Sequence, residues 1–97
     1  MQPKKKLTPS QAQFAVMLDR APFLRPLWDM DRAEYIPELV DNYLATASRG
    51  EVIMARFFLG VWLSRNQFDF DFTDAAAVLE RENMRIITDW MSEPFWP

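Results

Sequence analysis

The chain reads as all-α: a four-helix domain with a central, apolar third helix and an ordered proline-rich connection. Three observations carry this expectation. Apolar residues recur at three- and four-residue steps along most of the chain, the repeat of one helix face. Thr8–Gln11 and Ser48–Glu51 have the spacing of capping boxes, which mark helix starts. Strand-like alternation is confined to Phe68–Phe72, and no second segment matches it for pairing.

The first helix begins well. Thr8 can cap, and Pro9 suits the first helical position, where its missing N–H leaves no bond unmade. Leu7 sits where a hydrophobic staple reaches Ala12. Phe14, Met17, Leu18 and Ala21 then form one stripe. Pro22 ends the helix, because the residue before a proline avoids helical geometry. In the stretch Ala21–Trp28, Pro22 and Pro26 forbid a regular helix. Phe23, Leu24, Leu27 and Trp28 are too apolar for a loose linker, so this connection is expected to pack over the core. A binding ridge for another protein is the alternative use.

Asp31 and Glu34 form a further capping pair, but Pro37 interrupts it. Either a short turn precedes a helix starting near Pro37, or one helix is kinked there. From Ile36 onward the apolar face is Ile36, Leu39, Val40, Tyr43, Leu44 and Ala47, opposite Glu38, Asp41 and Asn42. The third helix is expected from Ser48 to about Asn66. Met54, Phe57, Phe58, Val61 and Trp62 line one side, and Val52, Ala55, Leu59 and Leu63 the next. Only the strip Arg56–Gly60–Ser64 is polar or small, so the helix is central. Gly60 costs about 1 kcal/mol relative to alanine, which predicts a neighbouring helix in close approach there.

Phe68–Phe72 is expected as an extended loop with its phenylalanines tucked in. Thr73 then caps a fourth helix running to about Ser92, with Asp74 favourable in its first turn. Its core face is Ala76, Leu79, Ile86, Ile87 and Trp90, interrupted by Asn83. Residues 1–7 form a basic tail and residues 93–97 an apolar one, flanking a single domain over 1–97.

Composition excludes more chemistry than it suggests. The chain has no histidine and no cysteine, which removes the commonest general base, the commonest metal ligand and thiol chemistry. Gly50 and Gly60 are the only glycines, so no phosphate-cradling loop exists. The net charge of −3 argues against general affinity for nucleic acid. Lys4, Lys5 and Lys6 are the local exception and the candidate anion contacts. No signal peptide is visible, and the longest apolar stretch, Val52–Leu63, contains Arg56 and is too short to span a membrane. A cytoplasmic protein is expected.

Three weaker constellations remain in the sequence. Asp69, Asp71, Thr73 and Glu80 match positions 1, 3, 5 and 12 of a calcium loop, but Asp74 stands where that loop needs glycine. Glu80, Glu82 and Asp89 could supply paired carboxylates, yet nothing gathers them at one buried site. The short turn between helices two and three permits a helix-turn-helix, but Arg49, Glu51 and Arg56 lie within a dense apolar run.

Aromatic surplus remains. Aromatics make up 14% of the chain, and a domain this small has little interior in which to hide them. The expectation is therefore a small, non-enzymatic protein-interaction module of a bacterial accessory type, self-associating as a homo-oligomer. It takes no cofactor, no metal and no small-molecule substrate. Trp28, Phe95, Trp96 and Phe23 are the candidate protein contacts. The alternatives are a nucleic-acid-associated regulator using the basic tail, and a carboxylate-based or divalent-metal-assisted enzyme.

Overall fold

Reciprocal capping boxes set two of the helix starts in the computed structural model, which describes residues 6–97. The Gln11 amide N–H donates to Thr8 Oγ1 at 3.1 Å, and the Thr8 N–H donates to Gln11 Oε1 at 3.0 Å. Helix α1 follows over Pro9–Asp19. Ser48 and Glu51 make the same reciprocal box ahead of α3, Arg49–Leu63. Each box satisfies N–H groups that a helix leaves without intrahelical partners.

Between these helices the chain is ordered throughout. Pro22–Leu27 winds into a 3-10 helix that buries Leu24 and Leu27, as expected of the proline-rich connection. A small hairpin follows that the sequence did not suggest. Strand β1, Trp28–Asp29, pairs antiparallel with β2, Glu34–Tyr35, placing Trp28 opposite Tyr35. Asp29 Oδ1 accepts the Arg32 N–H at 3.2 Å across the turn, and Ala33 adopts φ 54°. The hairpin rules out a helix kinked at Pro37, because β2 needs extended backbone directly before it. Helix α2 is Pro37–Thr46, with Ile36 as its cap residue.

Helix α3 is the centre of the molecule. It buries Ile53, Met54, Ala55, Phe57, Phe58, Leu59 and Val61. Phe14, Met17 and Leu18 from α1 and Val40 from α2 pack into the same core. The sequence pattern misplaces Leu39, which is exposed, leaving Val40 as the buried residue of α2. Helix α3 also ends earlier than expected: Ser64 turns left-handed at φ 58° and closes it at Leu63. Gly60 meets no neighbouring helix. A Cβ there would come no nearer than 3.7 Å to anything, and that to the Arg65 carbonyl oxygen.

The expected fourth helix is two helices. Helix α4 spans Phe72–Val78 and α5 spans Arg81–Ser92, with Leu79 and Glu80 extended between them. The cap is Asp71, whose Oδ1 accepts the Asp74 N–H at 2.9 Å, not Thr73. Ala75 is buried in place of Ala76. The break is hidden in sequence because Ala75 and Ile86 lie eleven residues apart, about three full helical turns. One continuous helix would therefore show the same apolar periodicity. Residues 68–71 form no strand, as expected, and Phe68 and Phe70 are half-buried, but Phe72 opens α4 and is exposed rather than tucked in. Asn66 brackets the loop instead, accepting the Phe70 N–H at 2.7 Å and donating to the Phe70 carbonyl at 3.1 Å. The described residues are thus mostly helical, with one two-stranded sheet. No helix among them is long and apolar enough to cross a membrane.

Candidate functional site

The Asn66-bracketed loop carries Phe70 back over α3, where its ring meets Phe57 at 5.3 Å. Phe72 then stands edge-on to Phe70 at 4.9 Å. Helix α5 brings Trp90 to the other side of Phe57, at 5.6 Å and 84°. Beyond α5 the chain folds back. The Trp90 Nε1–H donates to the Phe95 carbonyl at 3.1 Å, and Trp96 packs perpendicular to Trp90 at 5.1 Å. Edge-to-face pairs of this kind contribute about 0.5–1.5 kcal/mol each beyond burial, which orders a segment that has no regular structure.

These rings enclose a groove of ≈ 270 Å³. Phe57, Gly60 and Val61 line it from α3, together with Phe70, Phe72, Trp90 and Trp96. Arg65 is the one charged residue of the lining, beside Ser64 and Asn66. Phe72 is 54% exposed and Trp96 55% exposed. The aromatic contacts continue inward from Phe57 to Phe58 and on to Phe14, which touches both Trp28 and Trp62. The surface rings therefore stand on a rigid, connected core.

The structure places the four contact candidates differently. Trp28 is a core residue, 5% exposed, with its indole Nε1 buried and without a partner. It has little surface to offer another molecule. Phe23 is half-buried in the 3-10 helix and does not line the groove. Phe95 is half-buried, and its carbonyl oxygen holds the latch to Trp90. Trp96 alone of the four is a groove wall. Sequence reasoning missed Phe72, Phe70, Trp90 and Arg65 as a group. One signal was available: reading Asp71 rather than Thr73 as the cap places Phe72 at the first helical position, on the outer side of the turn.

The basic candidates are only partly placed. Lys4 and Lys5 lie outside the described residues, and Lys6 is exposed. Arg49 pairs with Asp74 at 3.6 Å. Arg56 is half-buried with its Nε unpartnered. The calcium-loop pattern is overturned. Among the described residues no three acidic side chains lie close enough to hold a metal ion. The Asp71 carboxylate caps α4, and the whole of α4 separates it from Glu80.

Two other polar places have structural explanations. At the α2–α3 turn, hydrogen bonds from the Ser48 hydroxyl and backbone N–H hold the Glu51 carboxyl below its ordinary pKa. Burial, and then the Glu51 charge, push the Tyr43 hydroxyl up to about 12. These groups form a capping arrangement rather than a base and nucleophile facing a cavity. Between α1 and α5 a second cleft is bridged by Arg20 and Asp89 at 3.1 Å. Comparison with protein-family models, curated proteins and solved structures returns no match to this chain, so the geometry alone carries the functional reading.

Proposed function

We propose that the protein is a non-enzymatic contact module whose working surface is the aromatic groove between Phe72 and Trp96. The observation that carries this reading is that those two rings, 54% and 55% exposed, line one groove together with Phe57, Phe70 and Trp90. Water-exposed rings gathered around a concavity mark an interaction site more often than scattered surface hydrophobes do. Large aromatics and arginine are also the side chains that anchor protein interfaces, and the groove contains both kinds. The rigid core beneath means that little ordering entropy remains to be lost on binding.

The reading is tested by capture from an extract of the native cell, comparing the wild-type chain with a Phe72→Ser/Trp96→Ser variant. A protein retained by the first and not by the second is expected, with far-ultraviolet circular dichroism unchanged. Equal retention by both, or retention by neither, overturns the reading.

A further inference from the structure

The groove and the loop that enters it hold an exposed ring, an open recess and charges of both signs. In a twofold interface residue i of one copy meets residue j of the other, and j meets i, so a single patch must supply ridge and recess and both charge signs. The ridge here is Phe72, flanked in sequence by exposed Asp71 and preceded by exposed Asp69. The recess lies at Gly60, a lining residue where a Cβ would meet only a carbonyl oxygen at 3.7 Å. The cation is Arg65, the only charge lining the groove. Arg65 and Asp69 are both exposed and four residues apart, yet among the described residues neither has an ion-pair partner. The net charge of −3 makes copies of this chain repel one another at long range. A contact between copies therefore needs local charge complementarity, and an acid-flanked aromatic ridge facing an arginine-marked aromatic recess supplies it.

We propose that this face is a twofold interface between two copies of the chain, in which Phe72 of each copy seats over Gly60 of the other and Arg65 pairs reciprocally with Asp69. The proposal rests on the groove being a contact surface and specifies its occupant. It also makes Trp96 a shared wall, since each copy's indole borders the recess that receives the other's phenylalanine.

Sedimentation equilibrium of the full chain tests it, using R65D, D69R and their mixture. The wild type is expected to dimerise reversibly. R65D and D69R each place two like-charged pairs across the interface, and each is expected to weaken association by about ten-fold or more. Mixing R65D with D69R restores opposite charges at both contacts of the mixed dimer, so the mixture is expected to associate where neither variant does alone. All these substitutions are at exposed positions, and thermal unfolding of each variant verifies the fold. A wild type that stays monomeric to millimolar concentration overturns the proposal. So does dimerisation indifferent to R65D and D69R, or a mixture that fails to recover. A monomeric chain that still shows capture sensitive to Phe72 and Trp96 overturns the dimer and leaves the contact reading standing. Loss of both overturns both.

Discussion

Trp90 donates its indole N–H to the carbonyl oxygen of Phe95 at 3.1 Å, and that bond determines where Trp96 stands. The residues after α5 have no helix or strand to hold them. Their position depends on this bond and on the perpendicular packing of the two indoles. Trp90→Phe keeps a ring beside Phe57 and removes the donor. It is expected to lower unfolding stability by about 0.5–1.5 kcal/mol, the usual contribution of one such bond. It should also raise the protease sensitivity of the segment following Ser92. Urea titration and limited proteolysis read the two effects, and unchanged proteolysis would show that the latch does not hold the segment.

The identity of the α4 cap is directly testable. Asp71→Ala removes the carboxylate that accepts the Asp74 N–H and is expected to cost about 1 kcal/mol. Thr73→Ala is expected to be close to neutral, since Thr73 is exposed and lies inside α4. Denaturant midpoints distinguish them, and the opposite ranking would restore Thr73 as the cap.

Gly60 stands within α3, where a Cβ would meet only the Arg65 carbonyl oxygen of its own chain, at 3.7 Å. Gly60→Ala is expected to stabilise the separated chain by up to about 1 kcal/mol through helix propensity, while its methyl weakens the seating of a second copy's Phe72. A lowered melting temperature at concentrations where the chain is monomeric would mean that a group of the same chain packs closely on the glycine.

The α2–α3 turn makes stability depend on pH at both extremes. The folded-state pKa of Glu51 is lowered, first by the Ser48 side-chain hydrogen bond. Its contribution is therefore complete above the ordinary value of 4.5 and is lost as the pH falls through the folded value. The Tyr43 pKa is raised from 10.0 to about 12, so its contribution is complete below pH 10.0 and is lost between 10.0 and about 12. Melting temperatures across pH should show Glu51→Gln flattening the acid slope and Tyr43→Phe flattening the alkaline one. Slopes identical to wild type would remove this turn as their source.

Local rules explain what was legible. The Thr8 and Ser48 boxes depend on residues three apart, and both formed as spelled. The central role of α3 follows from an apolar run that must be buried on most sides. Leu39, Ala76 and Gly60 were misassigned because periodicity reports a helix face and not the depth of what covers it. The hairpin at Trp28–Tyr35 is too short to show a strand repeat.

The sequence by itself determined a mostly helical chain, its two capping boxes, its apolar centre and the absence of histidine and cysteine chemistry. Those depend on residue identity and on spacings within one or two helical turns. The tertiary structure decided that α4 and α5 are separate and that Trp28 is core while Phe72 and Trp96 are exposed. It also gathered Phe57, Phe70, Phe72, Trp90, Trp96 and Arg65 along one groove. The groove is built from α3, the loop after it, the first residue of α4, α5 and the final residues, segments up to 39 positions apart from Phe57 to Trp96. Their meeting depends on how α3 ends at Ser64 and how the chain turns at Leu79, and neither turn alters the apolar periodicity from which the helices are read.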